Sequence, residues 1–155
     1  MLRPFGFRRS IGLALGTVML VGLASVRTSA ELDPKAITIT MPKDIKWVKG
    51  NGSERAILAG DPSMPGLYVI LVKWLPHNNS RPHFHPNDRF ITVLSGTWWV
   101  NTGAKYDPDG MKPLPAGSYV VHPGKQIHYD GAKDTECVLE IVGMGPETST
   151  PAEQK

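Results

Sequence analysis

From residue 36 onward the apolar positions come in short bursts, and outside residues 1–30 no stretch keeps the three-to-four spacing of a helix face for more than a turn. Ala36–Thr40 alternates β-branched residues, and Ile45–Val48 and Arg55–Ala59 follow around the turn signal Gly50-Asn51-Gly52. Leu67–Leu75 is the longest strand candidate; its nearly unbroken apolar run predicts cover on both faces, as at a sandwich centre or a subunit contact. Phe90–Leu94 and Thr97–Asn101 flank the tight turn Ser95-Gly96, while residues 103–117 read as loop because of their glycines and prolines. Ser118–His122, Ile127–Asp130 and Glu136–Gly143 complete the set. Short strands with a turn signal about every ten residues predict an all-β sandwich or barrel. There is no internal repeat and no second domain.

The first thirty residues follow another pattern. Arg3, Arg8 and Arg9 precede the apolar run Ile11–Leu23, and Thr28-Ser29-Ala30 closes the segment with small residues. This order is that of a secretory signal peptide, and the run is short beside the ~20 residues of a membrane span. Arg8-Arg9 also carries a weak twin-arginine character. The expected organisation is a signal peptide over 1–30, one β domain over 31–145 and a fraying polar tail over 146–155. The protein is expected to be exported, periplasmic or secreted, and free of the membrane after cleavage.

The leader changes the charge argument. It holds four of the 17 Lys and Arg and none of the 14 Asp and Glu, so the remainder carries 13 against 14. The basic balance belongs to the leader, and no basic patch argues for nucleic acid. The single cysteine, Cys137, forms no internal disulfide; alternation puts it with Leu139 and Ile141 on one face, as a small buried apolar group.

The candidate chemistry starts at Arg81-Pro82-His83-Phe84-His85-Pro86. Histidines two apart project to one side of an extended strand, and the two prolines disfavour a helix. His128 stands far along the chain in another strand-like run. Three imidazoles and an open position suit a divalent metal of borderline softness: Fe, Mn, Zn, Ni or Cu. His122 alternates with Val120 and could face the pocket as an acid–base group, or end a strand with a backbone hydrogen bond. His77 falls in a polar loop, Tyr106 and Tyr129 read as packing residues before pocket donors, and one of Trp98 and Trp99 should enter the core.

Pro82–Asp88, followed by Thr92–Thr97, resembles the first motif of the cupin superfamily, and Gly117–Pro123 with His128 is similar to the second. The resemblance implies a double-stranded β-helix, a jelly-roll barrel, often dimeric. It also implies that His83, His85 and His128 are metal ligands inside it. Two departures stand out: Arg89 occupies the place of the family's glutamate, and the second motif's glycine is shifted to Gly124. A guanidinium cannot ligate a cation. Three readings of Arg89 are open: a clamp for a substrate carboxylate or phosphate, an ion pair with Asp130, or a metal-free anion pocket. Asp88 should point away from the site unless a bulge re-aims it.

The expected function is an oxygenase- or isomerase-type enzyme on a small anionic substrate, with Arg89 and His122 as catalytic groups. The alternatives are a cupin that binds a small molecule or anion without catalysis or metal, and a structural or stress-related metal protein without a substrate. A homodimer is expected.

Overall fold

A computed structural model describes residues 32–154. The expected signal peptide, residues 1–30, lies outside the described residues. Residues 39–155 cluster as one β unit, and among the described residues the only helical element is the 3-10 turn Pro42–Asp44.

Eleven strands follow in chain order: β1 (Val48–Lys49), β2 (Ser53–Ala59), β3 (Gly66–Trp74), β4 (His83–Phe84), β5 (Arg89–Ser95), β6 (Thr97–Thr102), β7 (Lys112–Pro115), β8 (Tyr119–His122), β9 (His128–Gly131), β10 (Cys137–Gly145) and β11 (Thr150–Pro151). They form a six-stranded sheet, β1-β2-β3-β10-β5-β8, and a five-stranded sheet, β11-β4-β9-β6-β7. Every pairing is antiparallel. The fold is the double-stranded β-helix that the motifs imply.

The inner faces meet in one core. Tyr68, Ile70, Ile91, Val93, Cys137, Leu139 and Ile141 come from the larger sheet, while Trp98 and Ala132 join them from the other side. Each strand contributes alternate residues, as a pleated half-buried surface requires. Cys137 is fully buried, and burial pushes its thiol up to about 12, so it is an inert packing group. Trp98 enters the core, whereas Trp99 faces outward beneath the Lys133 ammonium, 4.2 Å from the ring centre. The β5–β6 hairpin needs its glycine: Gly96 has φ +72°, and a Cβ there would stand 2.2 Å from the Glu136 carbonyl oxygen.

β3 lies between β2 and β10, as its apolar run suggests. On its outer face Leu71 is buried, and Lys73 pairs with Glu54 at 3.1 Å while lying over the Trp47 ring.

The expected elements differ from the observed ones in four places. Of Ile45–Val48, read as a strand, only Val48 lies in one, pairing with Arg55 at the start of β1. Ala36–Thr40 forms no strand; Ile37 and Ile39 stay about half exposed, because alternation without a neighbouring ladder gains neither hydrogen bonds nor burial. Lys112–Pro115, read as loop for its prolines, pairs with β6 as an edge strand, where a missing N–H costs least. Residues 146–154, read as a fraying tail, are bonded to the body of the domain, and residues 150–152 lie along the histidine strand. β11 pairs with β4, the Ala152 N–H donates to the Pro82 carbonyl at 2.9 Å, and Arg81 forms an ion pair with Glu153.

Candidate metal centre

The barrel brings the two distant histidine segments together by strand pairing. His83 on β4 stands directly opposite His128 on β9, so both side chains leave the same face of the sheet as near neighbours. His85 follows two residues on and points the same way. One ring nitrogen from each of the three lies within 4.8 Å of the others. The ring centres of His83 and His128 are 4.6 Å apart, and those of His85 and His128 5.3 Å.

The orientation of each ring is set by the backbone. His83 Nδ1 lies 2.8 Å from the Arg81 carbonyl, His85 Nδ1 2.8 Å from the Thr148 carbonyl, and His128 Nδ1 3.0 Å from the Gln126 carbonyl. A carbonyl only accepts, so each Nδ1 carries the proton and donates. The lone pair of every neutral ring is then on Nε2. His83 Nε2 and His85 Nε2 meet at 3.1 Å, and His128 Nε2 is buried with no hydrogen-bond partner.

Two such lone pairs repel unless a proton or a cation lies between them. Their spacing suits two ligands at about 2.0–2.1 Å from a common ion. Carbonyls holding the far ring nitrogens are the usual support of metal-bound imidazoles. The donor set therefore fits a divalent metal. Burial, reinforced by the Arg89 charge, pushes His85 down to about 3. Burial likewise lowers His128 to about 4, against the opposing pull of Asp130. Both rings are thus neutral and ready to ligate at physiological pH.

Arg89 starts β5, pairs in register with His122 on β8, and is buried. Its Nη1 donates to Glu147 Oε1 at 3.2 Å, so its ionic partner is Glu147 and not Asp130. The other oxygen of Glu147 is held by Arg55. Asp130 is fully engaged elsewhere: Oδ2 accepts from the indoles of Trp98 at 2.9 Å and Trp74 at 3.0 Å, and Oδ1 from the Ser80 hydroxyl at 3.3 Å. Burial alone would raise the Asp130 carboxyl. Attraction to Arg89, and to His122 and His128 in their protonated forms, outweighs it and holds the carboxyl below its ordinary range.

His122 is inside the barrel, its ring centre 3.9 Å from that of His128 and 5.4 Å from that of Trp98. Burial, with the His128 charge, lowers it to about 3. Its Nδ1 has no partner.

Asp88 points away from the cluster and accepts from the Gly124 N–H at 2.7 Å, while the Lys125 N–H donates to the His85 carbonyl at 2.7 Å. The shifted glycine thus docks the β8–β9 turn against the histidine strand, where a Cβ would come within 2.7 Å of the Pro86 carbonyl. His77 is exposed in its loop. Tyr129 is buried, with its hydroxyl accepting from the Asp107 N–H, and Tyr106 packs beneath the Arg81 guanidinium.

A cavity of about 630 Å³ opens onto His83, His85 and Arg89. Its polar lining includes Arg55, Asp130 and Glu147, and its apolar wall is Val72, Trp74, Leu139 and Ile141. His122 and His128 are not among its lining residues. Reasoning from the sequence missed Arg55, Glu147 and the Thr148 carbonyl. The only available signals were an arginine among the apolar residues of a strand and an acid just after the last one.

Fold and site together define a cupin. The family model of the ChrR cupin-like domain matches residues 35–146, and the chain belongs to that family. No curated protein matches it. Among solved structures it is similar to the polyketide cyclase RemF from Streptomyces resistomycificus, 17% identical, covering 77% of this chain and 87% of that one with a TM-score of 0.63. It is also similar to a sugar phosphate isomerase of the cupin superfamily from Silicibacter pomeroyi, at 18% identity, 76% and 83% coverage and a TM-score of 0.59. KdgF from a Halomonas species shares 20% identity, with 69% and 94% coverage and a TM-score of 0.56. At these identities the likeness establishes the fold.

Proposed function

We propose that the protein is an exported, metal-dependent cupin enzyme acting on a small anionic substrate. His83, His85 and His128 hold one divalent ion, and the observation that carries this reading is the convergence of three Nε2 lone pairs, each fixed by a backbone carbonyl at Nδ1. When bound, the ion supplies Lewis acidity or a site for O₂. The chain's own residues do the rest. The cavity admits the substrate beside His83 and His85. Lys49, Arg55, Arg81 and Arg89 line it against the two carboxylates of Asp130 and Glu147, a balance that favours an anion. His122 packs on the His128 ring and acts as a positioning residue for it. Two solved relatives are called a cyclase and an isomerase, which supports an enzymatic reading. The basic, apolar and small-residue order of residues 1–30 supports export.

Metal analysis of protein purified without a histidine tag tests the proposal. The wild type is expected to retain about one ion per chain, and His83→Ala and His128→Ala to retain far less. Equal metal in all three, or none in the wild type, overturns the metal enzyme and leaves an anion-binding module.

We also propose a homodimer formed through the outer face of the larger sheet. Phe90, Leu94, Tyr119, Val121, Leu67 and Met144 are all exposed there, and Phe90 stands in register with Val121 and Val142. A contiguous exposed apolar row of this kind marks an interaction surface. Light scattering should give twice the chain mass for the wild type and the chain mass for Phe90→Asp; a monomeric wild type would refute the dimer.

A further inference from the structure

The cavity wall combines two chemistries: Val72, Trp74, Leu139 and Ile141 are apolar, and Arg55, Arg89 and Glu147 are charged. Arg55 stands in register with Val72, so the two adjoin. One carboxylate, that of Glu147, lies between the two guanidinium groups. The cavity lining carries Lys49, Arg55, Arg81 and Arg89 against the carboxylates of Asp130 and Glu147, so cations outnumber anions; Arg89 and Glu147 are nearly closed to water, their side chains 8% and 7% exposed. The pairing also underuses the donors. Each guanidinium carries five N–H groups in a flat fork suited to a carboxylate. Arg89 donates to Glu147 through Nη1 only, and its Nε is buried without a partner. Arg55 is 45% exposed at its side chain, so it has room to follow a ligand.

Glu147 reaches this cradle from the segment after β10, and that segment is anchored independently of its carboxylate. The β11–β4 ladder, the Ala152 N–H on the Pro82 carbonyl and the Arg81–Glu153 ion pair hold it further along. The Glu147 side chain can therefore leave the arginines without unseating the segment.

We infer that Glu147 is an internal stand-in for a ligand carboxylate: a small organic acid enters the cavity, displaces it from Arg55 and Arg89, and lays its hydrocarbon body along Val72, Trp74, Leu139 and Ile141. The carboxylate already in the cradle shows which anion the two forks fit. The cavity volume leaves space for a body of several carbons beyond the acid group. This inference rests on the anionic reading of the cavity proposed above, and not on the metal.

Calorimetric titration with hexanoate, acetate and inorganic phosphate tests it, on the protein as purified and again after chelation. The chelated sample isolates the arginine cradle from carboxylate binding to the metal, so failure of the metal proposal is distinguishable from failure of this one. Hexanoate is expected to bind more tightly than acetate, and phosphate more weakly than either. Glu147→Gln removes the internal competitor and should tighten hexanoate about tenfold. Glu147→Asp keeps the charge that balances the arginines but shortens its reach, so it should shift affinity the same way even if the glutamine variant folds poorly. Adding Arg55→Ala to either variant should abolish the gain. Equal hexanoate affinity in the wild type and both Glu147 variants overturns the inference. So does a gain that survives Arg55→Ala, or a preference for phosphate.

Discussion

Metal-free protein is expected to lose stability steeply as the pH falls below about 6.5, well before its carboxylates titrate. Three histidines inside the barrel are held below the ordinary imidazole value: His85 and His122 at about 3 and His128 at about 4. In each case burial is the largest cause, because the closed barrel penalises the imidazolium. A histidine lowered on folding takes up its proton in the unfolded chain first. Its contribution is therefore intact above the unfolded pKa of about 6.5, and is lost as the pH falls from there toward the folded value. At pH 5 each group lies about 1.5 units below its unfolded pKa, worth about 2 kcal/mol. The three together cost on the order of 6 kcal/mol, a large part of a domain's usual margin. Asp130, whose carboxyl is lowered, adds its own loss only below its unfolded value near 3.8. Denaturant unfolding of chelated protein at pH 7 and pH 5 measures this. Added divalent metal should restore stability at pH 5, because protons and metal compete for the same Nε2 atoms. Equal midpoints at the two pH values would mean that the histidines are not held neutral by burial.

The parts of this molecule that alternation and turns determine were legible in the chain. β2, β5, β6, β8 and β10 each pair alternation with a flanking turn residue, β3 stands out by its nearly unbroken apolar run and β9 follows the Pro123-Gly124 turn, and each lies close to its expected place. His83 and His85 share a face for the same reason, and the β8–β9 turn delivers His128 opposite them. Partner choice across the barrel was not legible. Arg89 shares a face with candidates from several strands, and sequence reasoning could offer Asp130 because it alternates with His128. The indoles of Trp74 and Trp98 take that carboxylate, and the ionic partner of Arg89 comes from 58 residues away. Prolines misled in two places. Pro113 and Pro115 sit on an edge strand that has no outer ladder to lose. Pro146 and Pro151 suggested a frayed end, yet Pro151 stands in register with His83.

That last segment is where truncation should do most damage. Ending the chain at Gly145 removes Glu147, so Arg89 is left buried beside Arg55 with no anion between them. Breaking a buried pair by removing one partner costs about 3–5 kcal/mol, because the remaining charge keeps its desolvation penalty. The same truncation removes the Thr148 carbonyl that accepts from His85 Nδ1. His85 then loses the bond that fixes its tautomer and aims its Nε2, and metal affinity should drop by about tenfold to hundredfold. Glu147→Gln separates the two effects: it should share much of the stability loss while leaving the Thr148 carbonyl, and hence metal affinity, near the wild-type value. Denaturant unfolding of the metal-free proteins and metal titration of each variant supply the two readouts. A truncated protein that unfolds at the wild-type midpoint and binds metal as tightly would reduce residues 146–154 to an ornament. The predicted pattern, stability lost in both variants but metal affinity only in the truncated one, makes them a working part of the site: Glu147 balances its arginines and Thr148 aims His85.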